Sequence, residues 1–207
     1  MQWILASASP RRKQLFGTLV DDFEIIPAQG EEKAEGKRAP SVLAQTLASQ
    51  KAREVAALPQ AAGKAVLGAD TVVALDGEIM GKPKDAADAV RMLTALSGRV
   101  HEVYTGICIL YPLDEERRKR REISVCTKVY FNELTKEQID SYVATGSPMD
   151  KAGAYGIQDG GLVQKIEGSF TNVVGLPVEA CKELMEKMRR HCEKAREEEN
   201  ADVETFD

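Results

Sequence analysis

The chain has 207 residues, 43% of them hydrophobic and 29% charged, which is enough for one sizeable core or one domain divided into two lobes and too apolar for a disordered chain. A net charge of −5 argues against a protein that coats nucleic acid, although a single pocket can still be locally positive. No apolar run approaches bilayer length, and the N-terminal charges follow the short apolar run, the reverse of a secretory signal. A cytoplasmic location and no membrane partner are therefore expected.

In chain order, residues 3–6 form an apolar run suited to a buried strand. Ser9-Pro10 then opens a helix, serine as N-cap and proline at the first helical position. Residues 23–27 read as a second strand and 30–40 as a polar loop. Ala44, Leu47, Ala48 and Val55 recur at helical spacing and predict a helix over 41–58. Residues 65–75 are strand-rich and end at the hairpin signal Asp76-Gly77, and a third helix is predicted over 85–96, stopping before Gly98. Residues 101–111 and 123–131 read as a strand pair joined by a charged loop, 113–122. Thr135 with Gln138 makes a capping box for a helix ending near Gly146. Residues 162–166 and 170–174 read as a hairpin around Glu167-Gly168-Ser169, and Pro177 starts a long final helix. Interleaved helices and strands, with at least three antiparallel pairs, predict an α/β fold with a mixed twisted sheet flanked by helices. One domain over 1–190 is expected, followed by a charged, partly disordered tail over 191–207.

Cys108, Cys126, Cys181 and Cys192 are scattered without a CxxC pair, so they read as small core hydrophobes rather than disulfides or metal ligands. With only His101 and His191, a histidine-rich zinc site is not expected.

Four segments could carry chemistry. In Ala6-Ser7-Ala8-Ser9-Pro10-Arg11-Arg12-Lys13 a strand runs through small residues into a helix start. Its free N–H groups favour phosphate, and arginine offers a matching fork of donors. Cations in a first helical turn oppose the helix dipole, a misfit that points to a ligand; the bland alternative is a solvated helix start paired with carboxylates. Asp70, inside the apolar stretch VLGADTVVAL, is expensive unless paired or bound to metal, though it could simply cap a turn. At a strand end it could hold magnesium or take a proton from a water.

Lys82, between Gly81 and Pro83, stands on stiff backbone and could reach a phosphate. Taken alone, Lys82, Lys51, Glu31 and Glu32 read as ordinary surface residues. The run from Asp150 to Gln158 sets glycines around Tyr155, which could stack or pack, and ends in Gln158, which could hydrogen-bond a base edge; a tight connection between elements is the plainer reading. The run Arg117-Arg118-Lys119-Arg120-Arg121 falls in the predicted loop 113–122. It is the one feature favouring a nucleotide- or nucleic-acid-binding regulator, but without interleaved aromatics it reads as a solvated loop.

Taken in order from Ile4 to Leu184, LASASPRRKQL, GADTVV, GKPKD, ML-x-x-LSGR-x-H-x-V-x-TG, DKAGAYGIQ and GSFTNVVGLP resemble the Maf family of nucleotide pyrophosphatases. The resemblance implies a two-lobed mixed-sheet fold with a central cleft, related to inosine triphosphate pyrophosphatases. It also implies cleavage of nucleoside triphosphates between the α- and β-phosphates with Mg²⁺ or Mn²⁺, and an assembly that is often a homodimer. On the matching positions, Ser7, Arg11, Arg12 and Lys51 would contact phosphate, Asp70 and Lys82 would be catalytic, and Asp70 with Glu32 would hold the metal. Gln158 would meet the base, and AYGIQ resembles the dTTP/UTP pyrophosphatase branch. Asp159 departs from the family pattern, which has glycine or a small apolar residue there, and its carboxylate bears on base preference.

Overall fold

The computed structural model describes residues 1–30, 38–113 and 117–204, with 194–204 as helical backbone. The elements are β1 (Trp3–Leu5), α1 (Pro10–Phe16), β2 (Glu24–Ile25), α2 (Pro40–Ala56), β3 (Ala65–Leu75), β4 (Glu78–Met80), α3 (Ala86–Leu96), β5 (Val100–Pro112), β6 (Arg118–Phe131), α4 (Lys136–Ala144), β7 (Val163–Glu167), α5 (Phe170–Val174) and α6 (Val178–Glu204). The strands lie in the order β2-β1-β3-β5-β6-β7, with β4 folded back on β3. β1 runs parallel to both β2 and β3, whereas β3–β5, β5–β6, β6–β7 and β3–β4 are antiparallel. The mixed α/β sheet expected from the sequence is thus the one observed.

Local chemistry sets several boundaries. Ser9 caps α1 by accepting from Arg12 N, Asp85 caps α3 through Asp88 N, and the Thr135–Gln138 capping box starts α4. Asp76 and Gly77 both take positive φ, 52° and 79°, as a tight two-residue β3–β4 hairpin requires.

Alternation along β3 builds a core on each face. Ala65, Leu67 and Ala69 pack with Phe16, Leu184 and Met188, under α1 and α6. Val66 packs with Ala48, Ala52 and Val55 of α2 on the other face. Farther along the same strand, Val73 and Leu75 join a separate cluster with Met92, Leu93 and Leu96 of α3 and Ile139 of α4. Each fully buried Leu or Ile side chain contributes roughly 1.5–3 kcal/mol. The long strands therefore serve two lobes, one at each end.

Two expectations are corrected. Residues 170–174 are not a strand but the short helix α5, because Ser169 accepts from Asn172 N and starts a helical turn; β7 pairs with β6 instead. The basic run is not a loop: from Arg118 onward it belongs to β6, paired with β5 as far down as Pro112↔Arg118. Arg118 donates to the main-chain oxygens of Lys64 (2.7 Å) and Ala61, a structural use for one of the five cations. Of the cysteines, Cys108 and Cys181 are buried and all four are free, but Cys126 is exposed and Cys192 half-buried. Among the described residues no helix is long and apolar enough to cross a membrane. α6 carries helical backbone through the charged segment as far as Glu204.

Candidate active site

A cleft of about 940 Å³ lies between the lobes, within the size range of small-ligand pockets. Ser7, Arg11, Arg12, Lys51, Asp70, Lys82 and Gln158, seven of the eight residues singled out from the sequence, all line it. The eighth, Glu32, lies outside the described residues.

One wall depends on glycine. Asp70 is the cross-strand partner of Gly106, and Gly68 is the partner of Cys108. A Cβ on Gly68 would stand 2.3 Å from Ala48 O, and one on Gly106 2.3 Å from Ala44 O, so α2 lies directly against the bare backbone of β3 and β5. That approach brings Lys51 of α2 to Asp70, with Nζ 2.5 Å from Oδ1 and the two side chains 19% and 10% exposed. Desolvating such a pair costs much of what its attraction returns, so its stabilising value is small and its place in a cleft suggests chemistry.

The opposite face of β3 holds the N-terminal turn. Ser7 is buried, and its Oγ accepts from Ser9 N (3.2 Å) and Arg12 Nη1 (3.4 Å). Arg12 also donates from Nε to Gly175 O (2.9 Å) and from Nη2 to Thr71 Oγ1 (3.0 Å). Thr71 Oγ1 lies 3.0 Å from Thr105 Oγ1, which donates to Asn172 O, and Asn172 Nδ2 donates to Val103 O and Thr127 Oγ1. Thr105, Thr127 and Asn172 are fully buried, so a dry polar spine fixes the guanidinium from behind. Sequence reading missed this spine; the only hint was polar residues inside apolar strands. Because α1 spans only 7 residues, any anion at this turn would be held by the side chains and bare amides more than by a helix dipole. Arg11 reaches across to Asp150, Nη1 to Oδ2 3.6 Å.

The second lobe supplies the far wall. Gly153 N donates to Gly81 O (3.0 Å), tying the 152–154 turn to the segment that carries Lys82. Lys82 is exposed on the rim, and Pro83 beside it is buried. Of the two options for Tyr155, packing prevails: its ring lies 4.7 Å from Phe131 and its hydroxyl 2.7 Å from His101 Nε2. Burial pushes the His101 pKa down to about 4, so the imidazole is neutral. Gln158 stands exposed at the cleft edge on the 157–159 turn, and Asp159 points back toward α4, where it accepts from Tyr142 OH (2.5 Å) and Ser147 Oγ (2.8 Å).

Five cations, Arg11, Arg12, Lys51, Lys82 and Lys151, line the described part of the cleft against three carboxylates, Asp70, Asp150 and Asp159. The cleft is therefore locally positive inside a chain of net charge −5. Among the described residues there is no cluster of three or more His, Cys, Asp or Glu side chains able to hold a metal unaided. Asp70 alone still suits Mg²⁺ or Mn²⁺, since magnesium is commonly bound through one or two carboxylates plus the substrate's phosphates. The cation already beside Asp70 Oδ1, Lys51 Nζ, shows that this point accepts positive charge.

This fold and cleft define a two-lobed α/β protein suited to a polyanion of nucleotide size. The Maf-like protein family model matches residues 2–188, and the chain belongs to that family. It is 53% identical over 177 residues to a dTTP/UTP pyrophosphatase of Citrifermentans bemidjiense, covering 84% of this chain and 89% of the relative. It is 47% identical over 187 residues to a dTTP/UTP pyrophosphatase of Thermococcus gammatolerans, covering 88% and 95% of the two chains. Among solved structures, a HAM1 protein from Coxiella burnetii matches with a TM-score of 0.48 at 16% identity, over 90% of this chain and 99% of its own.

Proposed function

We propose that this chain hydrolyses nucleoside triphosphates, dTTP and UTP by preference, to the monophosphate and pyrophosphate. The observation that carries the reading is the convergence of Arg11, Arg12, Lys51 and Lys82 around Asp70 in one cleft. A triphosphate carries several negative charges, and phosphoryl transfer draws most of its rate from positioning and charge neutralisation, so no covalent nucleophile is needed. Arg12, fixed by the Thr71 spine, and Arg11 bind the phosphate chain, and Ser7 offers it a hydroxyl donor. Lys82 approaches from the other lobe, where it neutralises charge developing on the leaving pyrophosphate. Asp70 would hold a divalent ion and accept the proton of the attacking water, with Lys51 fixing the carboxylate's orientation. A divalent ion held there would supply Lewis-acid polarisation of the α-phosphoryl group and a lowered pKa for that water. Gln158 meets the base edge. The names of the relatives support pyrimidine triphosphates, and removal of unwanted nucleotides from the pool is the role that follows.

A nucleotide panel tests this directly, run with Mg²⁺, Mn²⁺ or chelator and with inorganic pyrophosphatase present or absent. Metal-dependent pyrophosphate release, strongest with dTTP or UTP, is expected. Orthophosphate without added pyrophosphatase would mean cleavage at another bond. Absence of turnover by folded protein, together with salt-sensitive retention on heparin, would favour the regulator instead.

A further inference from the structure

We propose that Asp159 is a positioning residue for base selection: its carboxylate clamps the 157–159 turn to α4 and thereby holds Gln158 in place. The inference rests on the proposed hydrolysis of nucleoside triphosphates and deepens it.

Three chain segments meet at one carboxylate oxygen. Asp159 Oδ2 accepts from Tyr142 OH of α4 at 2.5 Å and from Ser147 Oγ at 2.8 Å. Tyr142 OH in turn accepts from Gly156 N at 3.1 Å, two residues before Gln158. Lys151 Nζ donates to Ser147 O (2.5 Å), Ser147 Oγ (3.0 Å) and Asp150 Oδ1 (2.8 Å), so the anion sits beside a fixed cation.

Gly156 makes room for the clamp. A Cβ there would stand 2.9 Å from both Asp159 Oδ2 and Lys151 Cε, so any other residue would push the carboxylate away. Burial alone would raise the Asp159 pKa, but the Tyr142 and Ser147 hydroxyls and the Lys151 charge hold it below the usual value. Burial and the neighbouring Asp159 push the Tyr142 pKa up to about 12, so near neutral pH the phenol donates and the carboxylate accepts.

Asp159 lines the cleft, and Arg11 as well as Lys151 lies within its electrostatic reach. An anion aimed into the cleft would repel a triphosphate, whereas one engaged by two hydroxyls and a lysine field is satisfied where it is. The 157–159 turn is short, and glycines at 160 and 161 follow it, both with φ of 74°. Within the turn Asp159 N donates to Gly156 O (3.0 Å) and Ile157 packs against the second lobe's core, and the Asp159 carboxylate adds the tie to α4 on the Gln158 side.

The test compares Asp159→Ala, Asp159→Asn, Tyr142→Phe and the Asp159→Ala/Tyr142→Phe double variant with the wild type. Each is assayed for kcat and KM with UTP, dTTP and CTP, and for its melting temperature. Asp159→Ala and Tyr142→Phe are each expected to raise KM for UTP and dTTP by about three- to tenfold, with the loss in KM rather than kcat and with weaker discrimination against CTP. The double variant should be no worse than Asp159→Ala, because both remove one clamp. Asp159→Asn, whose amide oxygen still accepts both hydroxyls, should recover most of the loss. Unchanged KM and base ratios in both Asp159→Ala and Tyr142→Phe overturn the proposal, and so does a lowered melting temperature with KM unchanged. A loss in Asp159→Asn as large as in Asp159→Ala, with Tyr142→Phe normal, overturns it in favour of a carboxylate that touches the nucleotide. A wild type that hydrolyses no nucleotide removes the underlying function, a result distinct from a wild type that turns over with unaltered variants.

Discussion

At the scale of single residues, the proposed chemistry centres on Asp70. It stands in a strand that is otherwise almost wholly apolar, and Lys51 Nζ is 2.5 Å from its Oδ1. An asparagine there keeps size and one acceptor but loses the charge that a divalent ion and a departing proton both need. Asp70→Asn should therefore lower kcat by about 10²–10⁴-fold at saturating metal, with KM changed much less. Pyrophosphate release with dTTP checks it, and near-normal turnover would remove Asp70 from catalysis. Arg12 shows the complementary situation: Gly175 O, Ser7 and Thr71 already hold it, so in the proposed role its guanidinium would meet a phosphate without first losing its freedom.

The contact of α2 with β3 and β5 does most to build the site at the scale of elements. Gly68 and Gly106 leave no side chain between helix and sheet, which lets Lys51 on α2 reach the carboxylate on β3. Gly106→Ala would drive a methyl group to 2.3 Å from the Ala44 backbone, where no flexible side chain can yield. A loss of about 1–3 kcal/mol in stability is expected from such overpacking. Activity should fall as well, since α2 must shift and carry Lys51 with it. Urea unfolding and turnover on the same preparation test both; unchanged values in each would mean that α2 has room to spare. β6 illustrates another element-level rule. Its first half carries Arg118 to Arg121 on a stretch where β7 no longer pairs with it, and cations on such an edge discourage pairing with other chains.

The long strands give the whole molecule two lobes with separate cores, and the second lobe contains a titratable group in its interior. His101 is 1% exposed, packed against Phe131 and Tyr155, and its pKa falls from 6.5 to about 4 through burial. Between those values the unfolded chain binds a proton that the folded chain does not, so stability is full above pH 6.5 and declines as pH falls toward 4. The loss amounts to on the order of 3 kcal/mol from this group. Denaturant melts across that range should show a shallower decline for His101→Gln than for the wild type, whatever the variant's absolute stability. Equal slopes would mean that His101 protonates freely in the folded protein.

Much of this architecture was legible in the chain because its signals are local. The Ser9 and Thr135 caps, the Asp76-Gly77 turn, the helical spacing over α2 and the apolar run of β3 depend on neighbours a few residues apart. The same holds for the arginines after a strand and the aspartate in an apolar run, which is why Ser7, Arg11, Arg12 and Asp70 could be singled out before any geometry was known. The hairpin expected at 170–174 failed because β-branched and aromatic residues suit a strand equally well, and only the Ser169 cap and the buried Asn172 decide for helix. The basic run was misassigned because charge suggests a loop, whereas pairing with β5 extends the strand through it. Lys51 and Lys82 looked like surface residues; Lys82 carried only the hint of its stiff setting between Gly81 and Pro83, and Lys51 none. Only tertiary structure decided that Lys51 meets Asp70, that Thr71, Thr105 and Asn172 hold Arg12, and that Asp159 turns toward Tyr142. The physical reason is that these contacts join residues far apart in sequence, so each depends on how closely helix and sheet approach, a property of the packed fold and not of any stretch of chain.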